Sequence, residues 1–378
     1  MKCLRFKIFM LLLMGNPTYV FCSTNNIALD YVKSLEFNTS GDTLIFAHVI
    51  YRHGDRNINK IYPNDPYADE SYWQGGFGQL THAGKMRHFK LGQFFRRRYG
   101  KLLADGYSPK KVYVEASDVD RTIASALANL AGMFPPSETE IWNDELNWQP
   151  IPVHKWIMKE CAKYYVEVQK YMDESSEVRR IYTEYADHFA YWSKMCGLNI
   201  TTIDDVYVLY NTLVVETEHN KSLPDWAKRA IEPNGVMEYI TLFDIKMYAN
   251  TTKLARLHSG FILKEILQRF SQKINSTLKP DRDRLLWFQS THYYIIANLL
   301  NSLGLFEKPH LPPYASSLIF ELYKRDGEHY IQIFYKKSEE EILSPLNIPK
   351  CGTKCPLQQF YILYDEIIPG DFDSECTL

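Results

Sequence analysis

The sequence predicts an α/β protein built on a doubly wound mixed sheet with helices on both faces, into which a mostly helical cap is inserted. Three observations carry this expectation. Near-continuous apolar runs around residues 43–51, 111–116 and 284–290 each lead into a helical pattern, as strands buried on both faces of a largely parallel sheet do. Residues 151–250 are dense in aromatic and charged residues and poor in strand signals. Near the C-terminus, two further apolar runs flank Asp326-Gly327, a hairpin turn signal that adds an antiparallel edge. With 378 residues, 46% hydrophobic and 23% charged, the chain is long enough to bury such a core.

Taken in order, residues 1–22 read as a secretory signal. Lys2, Arg5 and Lys7 precede an apolar stretch from Ile8 to Met14, and Val20-Phe21-Cys22 suits cleavage before Ser23. That stretch is too short for a membrane span, and no apolar tail precedes Leu378, so a soluble, secreted protein is expected, with the lysosomal lumen as the second choice. The α/β core then occupies residues 23–150 and 251–378, with the cap at 151–250. The strand at Thr43–Tyr51 is followed by a helix capped by Thr81, with Met86, Phe89 and Phe94 in one arc facing the core. In the same helix, Arg96-Arg97-Arg98 reads as a solvated face. The strand at Lys111–Ala116 leads through Ser117 or Asp118, either able to cap, into a helix that Pro135-Pro136 stops after Met133. Arg284–Ser290 and a helix from His292 to Leu303 repeat the unit, and Ser317–Tyr323 with His329–Lys336 forms the hairpin.

Five cysteines remain once the signal is removed: Cys161, Cys196, Cys351, Cys355 and Cys376. Their odd number suggests two bridges and one free thiol, and Cys351 is near enough to Cys355 to close a small loop. Sequons at Asn38, Asn199, Asn220, Asn250 and Asn275 fit a secreted chain. A net charge of −2 gives no electrostatic case for nucleic acid. The histidines lack metal-ligand spacing, and no metal or cofactor is expected.

Each strand-to-helix junction carries polar residues: Arg52, His53 and Arg56 in "VIYRHGDR", Asp118, Asp120 and Arg121 in "SDVDRT", and His292. Ligands of open α/β sheets bind at the carboxyl ends of the strands, so residues far apart in the chain converge there. The chemistry they suit is phosphoryl transfer. Arginine forks hold the equatorial oxygens, the amides of the helix that begins near Arg121 add donors, and a neutral His53 attacks phosphorus. Gly54 is expected to permit a tight reversal and close phosphate approach. The competing local explanation is that the arginines pair with Asp55, Asp118 and Asp120.

The segments "RHGDR", "YPNDPY", "GFGQLTHAGKMRHFKLGQFFRRRYG", "SDVDRT", "NWQPIPVH" and "LPPYASS" together resemble the histidine acid phosphatases over most of the mature chain. The resemblance implies a phosphoglycerate mutase-like α/β domain with a helical cap, and hydrolysis of small phosphate monoesters through a phosphohistidine. It assigns His53 as nucleophile and Arg52, Arg56, Arg121 and His292 as phosphate-holding groups. It also implies disulfides Cys161–Cys376 and Cys351–Cys355, leaving Cys196 unpaired because Ser317 stands where a third bridge would need a cysteine. Some members of the family form homodimers.

Two departures from the family pattern stand out. Asn57-Ile58 replaces a Ser-Pro pair, and Tyr293 stands beside His292 where the family has an acidic proton donor. Loss of a positioned acid or base lowers rates by roughly 10²- to 10⁴-fold, and tyrosine, with a reference pKa of about 10, is a poor base for activating water. Two functions follow as expectations: a secreted acid phosphatase impaired by Tyr293, or a weakly catalytic or inactive phosphate-ligand binder. A phytase is a third, disfavoured because a highly anionic substrate calls for a more basic pocket.

Overall fold

The computed structural model describes residues 41–103 and 106–378; the expected signal segment and the Asn38 sequon lie outside the described residues. The elements, in chain order, are β1 (Thr43–Arg52), α1 (His82–Tyr99), β2 (Val112–Ser117), α2 (Asp120–Met133) and β3 (His154–Trp156). Eight helices follow: α3 (Ala162–Glu174), α4 (Ser176–Glu184), α5 (Ala186–Cys196), α6 (Ile203–Glu218), α7 (Asp225–Ala230), α8 (Val236–Met247), α9 (Thr252–Leu257) and α10 (Ser259–Ile274). The chain continues with β4 (Leu286–Thr291), α11 (Tyr293–Ser302), β5 (Ser317–Arg325), β6 (Glu328–Lys336), β7 (Cys355–Pro356), α12 (Leu357–Tyr364) and α13 (Phe372–Cys376).

The strands form one mixed sheet in the order β3-β2-β4-β1-β5-β6-β7. β1, β2, β3 and β4 run parallel, and β5 lies antiparallel to β1. The expected hairpin forms the antiparallel side of the sheet. Its first strand pairs with the central β1, and β7 extends the sheet beyond β6. Both faces are covered, which is why these strands read as apolar runs. On one face Ala47, Val49, Val114 and Phe288 pack with Phe95, Leu130 and Met133 of α1 and α2. On the other, Phe46, Ile50, Phe320 and Ile331 pack with Ile266 and Phe270 of α10 and with Ile296 and Leu300 of α11. Each of these buried Val, Leu, Ile, Met and Phe side chains contributes about 1.5–3 kcal/mol relative to exposure. A separate apolar cluster joins α4, α5, α6 and α8 around Ile181, Trp192, Leu209 and Ile240, with Tyr62 from the loop after β1 inserted into it.

Four local expectations are corrected. Met86 points outward, 54% exposed, while Phe94 is buried. Arg98 is not solvated: it is buried and forks onto Glu321 of β5 at 2.7 and 2.9 Å, with Tyr99 and Tyr323 donating to the same carboxylate. Neither Ser117 nor Asp118 caps α2. Its N-cap is Val119, which offers no side-chain bond, because the Ser117 hydroxyl is committed to Thr122 and Asp118 pairs outward with Lys155. Gly54, finally, is required by packing: a Cβ there would sit 2.5 Å from the Gly84 carbonyl oxygen, so the loop after β1 presses directly on the first turn of α1.

Disulfides join Cys161 to Cys376 and Cys351 to Cys355, and Cys196 is a buried free thiol. Among the described residues, no helix is long and apolar enough to cross a membrane.

Candidate active site

Strand register gathers the site. Arg52 is level with Thr291 across β1 and β4, and Ala116 of β2 is level with Ser290, so the next residues of three strands emerge side by side. His53 donates its backbone N–H to Thr291 O at 3.0 Å and accepts from Ala315 N at 3.2 Å, which locks it between β4 and the approach to β5. Gly54 N donates to Ser125 Oγ of α2 at 3.0 Å.

His53 is buried, and its Nδ1 lies 2.8 Å from the Gly54 carbonyl oxygen. A carbonyl only accepts, so Nδ1 carries the proton and Nε2 keeps a free lone pair. Burial and the adjoining Arg52 and Arg121 cations hold the imidazole pKa well below its ordinary value. A neutral ring with Nε2 unprotonated is the form a nucleophile needs.

Three guanidinium groups cluster at the site, Arg52 and Arg121 acting on His53 directly. Arg52 donates to Pro312 O at 2.6 Å, and its guanidinium carbon lies 3.9 Å from the centre of the Tyr314 ring. Arg56 donates to Asn57 O at 2.8 Å and to Asn211 Oδ1 of α6 at 2.5 Å. Arg121 is the second residue of α2, and burial followed by repulsion from Arg56 and Arg52 lowers its pKa to about 10. The Nε groups of all three are buried without a hydrogen-bond partner among the described residues. No carboxylate there forms an ion pair with any of them: Asp55 is taken by Arg87, Asp118 by Lys155, and Asp120 accepts from Gln79. The local ion-pair explanation is thus not realised. Clustered cations with unmet donors are unfavourable alone and match an anion of several oxygens.

His292 caps the start of α11, its ring 5.5 Å from that of His53. Its Nε2 lies 3.1 Å from Ser117 Oγ, which donates to Thr122 Oγ1, which in turn donates to the carbonyls of Ser117 and Val119. Because the chain ends on acceptors, Nε2 of His292 carries the proton and Nδ1 is the open position. Burial and then Arg121, Arg52 and Arg56 lower its pKa to about 3.

Tyr293, expected from the sequence to stand in for a proton donor, is the first residue of α11, directly after His292. Its ring centre is 5.7 Å from that of Tyr207 and 5.6 Å from the Arg52 guanidinium. Burial, then Tyr207, raise its pKa well above the usual tyrosine value, so it keeps its proton. Tyr207, Asn211, Ser117, Pro312 and Tyr314 support the site but were not singled out from the sequence. The signal for the first two is their spacing of four on α6, which turns both toward the arginines. Among the described residues, no cluster of three metal-ligating side chains occurs. The Asn199, Asn220, Asn250 and Asn275 side chains are all exposed.

A sheet-end cluster of three arginines that form no ion pair with a described carboxylate, beside two imidazoles whose pKa is lowered, has the donor set that suits a phosphoryl-type anion. Residues 43–336 match the histidine phosphatase superfamily (branch 2), and the chain belongs to that family. It is 34% identical to prostatic acid phosphatase of Rattus norvegicus over 344 residues, covering 88% of this chain and 89% of the relative. It is likewise 34% identical to lysosomal acid phosphatase of the same species, over 89% of this chain and 81% of the relative. Among solved structures, the phytase of Hafnia alvei bound to tartrate shares the fold with a TM-score of 0.65 at 18% identity, covering 90% of this chain and all of the phytase chain.

Proposed function

We propose that the protein is a secreted acid phosphatase that hydrolyses phosphate monoesters through a phosphohistidine on His53, with turnover slowed by Tyr293. The supporting observation is the free lone pair on Nε2 of His53 beside clustered arginines that form no ion pair with a described carboxylate. The relatives are named acid phosphatases, and the disulfides and exposed sequons suit an exported glycoprotein.

In this reading Arg52, Arg56 and Arg121 bind the phosphoryl oxygens, which neutralises ground-state charge and stabilises the planar transition state. His53 Nε2 attacks in line while the ester oxygen departs. Water then attacks phosphorus, and the P–N bond breaks to restore the neutral imidazole. Since Tyr293 keeps its proton, it serves poorly as a base for the second step, and phosphoenzyme accumulates. Aryl phosphates, whose leaving groups need little protonation, are turned over faster than alkyl phosphates.

A competing reading, a phosphate-ligand binder without turnover, is favoured only by Tyr293. Assay with 4-nitrophenyl phosphate separates the two. The enzyme reading expects turnover, preceded by a stoichiometric burst, that His53→Ala abolishes; absence of turnover with retained phosphate binding makes the chain a binder.

A further inference from the structure

Asn57 stands where the family pattern has serine, and its backbone carbonyl receives Arg56 at 2.8 Å. Its side chain is equally committed. The residue is 3% exposed; Nδ2 donates to Gln74 O at 2.9 Å and to Gly76 O at 2.7 Å, and Oδ1 lies 3.1 Å from Nε2 of His219. The two carbonyls facing Nδ2 fix the orientation of the amide, so Oδ1 accepts from His219. His219 caps the C-terminal end of α6, with Nδ1 2.9 Å from Val215 O and its ring meeting that of Trp73 edge-on at 5.1 Å. As imidazolium, the form that acid favours, the ring donates to both oxygens.

The carbonyls held by Asn57 belong to the loop Gln74-Gly75-Gly76-Phe77-Gly78. Gly75 and Gly76 adopt φ of 87° and 98°, a reversal that glycine makes without steric cost but that needs bonds from outside to settle in one conformation. The loop then runs antiparallel to the segment after His53: Asn57 N donates to Gln79 O at 3.0 Å, Gly78 N donates to Ile58 O at 2.8 Å, and Arg56 bridges to Leu80. Gly78 lies against Arg121, since a Cβ there would be 3.7 Å from a terminal guanidinium nitrogen. One asparagine thus touches the surroundings of two phosphate-holding arginines. A serine has a single proton to donate where the loop presents two carbonyls.

We propose that Asn57 is a positioning residue for phosphate binding: it ties Arg56 and the glycine loop beside Arg121 to the end of α6, and so fixes the two guanidinium groups relative to each other. The proposal rests on the reading of these arginines as the phosphate site. His219 is the anchor on the cap side, and it acts through the Asn57 amide.

At pH 5, Asn57→Ser is expected to raise KM for 4-nitrophenyl phosphate about tenfold, the equivalent of about one hydrogen bond. Most of that factor disappears in an Arg56→Ala background, because the two residues act in one network. His219→Ala, which frees only the Asn57 oxygen, should raise KM about threefold, and His219→Gln, which can still donate, should restore it. These two variants carry the test should Asn57→Ser fail to fold. A purely structural Asn57 would lower the melting temperature and leave KM unchanged, or would add its effect in full to that of Arg56→Ala; either result overturns the proposal. Calorimetry of inorganic phosphate with the wild-type protein separates the two readings. Without binding, the arginine site fails and the Asn57 role falls with it; with binding and KM unmoved in every variant, the Asn57 role alone fails.

Discussion

The unoccupied lone pair on Nδ1 of His292 predicts that anion binding draws a proton into the site. An oxyanion held by Arg52, Arg56 and Arg121 would meet a second lone pair there unless the ring becomes imidazolium. With the empty-site pKa near 3, charging His292 at pH 5 costs about 2.7 kcal/mol, at about 1.4 kcal/mol per unit. Each unit by which pH falls therefore strengthens binding about tenfold, until the pH approaches 3. The sign follows from the pKa: the empty site disfavours the proton, the filled site favours it, and affinity rises toward acid between the two values. Sulfate is the suitable probe because its own charge is constant across this range. The protein should be the His53→Ala variant, which removes the competing imidazole. Calorimetry in buffers of different ionisation enthalpy should show uptake of about one proton near pH 5, and His53→Ala combined with His292→Asn should show none. Equal sulfate affinity at pH 4.5 and 6.5, or a slope unchanged by the second substitution, would refute the tautomer assigned through Ser117 and Thr122.

Three further outcomes are expected. Arg98→Ala leaves Glu321 charged and buried with only tyrosine donors, and should lower unfolding free energy by about 3–5 kcal/mol in urea denaturation; a change below 1 kcal/mol would mean water reaches the carboxylate. Glu216 is buried beside Asp65, and burial first, then Asp65, raise its pKa to about 8. Its contribution to stability is complete below its unfolded pKa of about 4.5 and is lost as pH rises through 8, so the melting temperature should fall between pH 6.5 and 8.5, and Glu216→Gln should flatten that fall. Asp244, raised to about 8 by burial and then by Asp204, contributes a fall of the same sign, so the part that remains in Glu216→Gln should vanish on adding Asp244→Asn; His88 and His258, held near 4 by burial, act in the opposite direction only below about pH 6.5. Asn211→Ala removes the partner of Arg56, and KM for 4-nitrophenyl phosphate should rise about tenfold, the equivalent of one charged hydrogen bond; an unchanged KM would show that Asn57 O alone positions that guanidinium.

The strand-to-helix junctions were legible because a strand buried on both faces must be apolar throughout, so the polar residues that end β1, β2 and β4 stand out. His292, far from His53 in sequence, was placed beside it by the rule that such ends converge. What escaped was set by partners distant in the chain. Arg98 carries no local mark of burial; the hint lay in Glu321, a lone acid within the apolar run "SLIFELY". Ser117 reads as a cap because serine usually is one, but its hydroxyl serves His292, so α2 begins at Val119 without side-chain help. Gly54 was read as space for a ligand, whereas the space is filled by Gly84 of α1.

The central claim is that His53 takes the phosphoryl group onto itself. It is tested most directly by reacting the protein at acid pH with an aryl phosphate labelled at phosphorus and quenching rapidly into alkali, followed by peptide mapping under the alkaline conditions that preserve phosphohistidine. The account predicts close to one equivalent of label per chain, confined to the peptide carrying His53 and absent from His53→Ala. Continued turnover in His53→Ala, or label on any other residue, would contradict it.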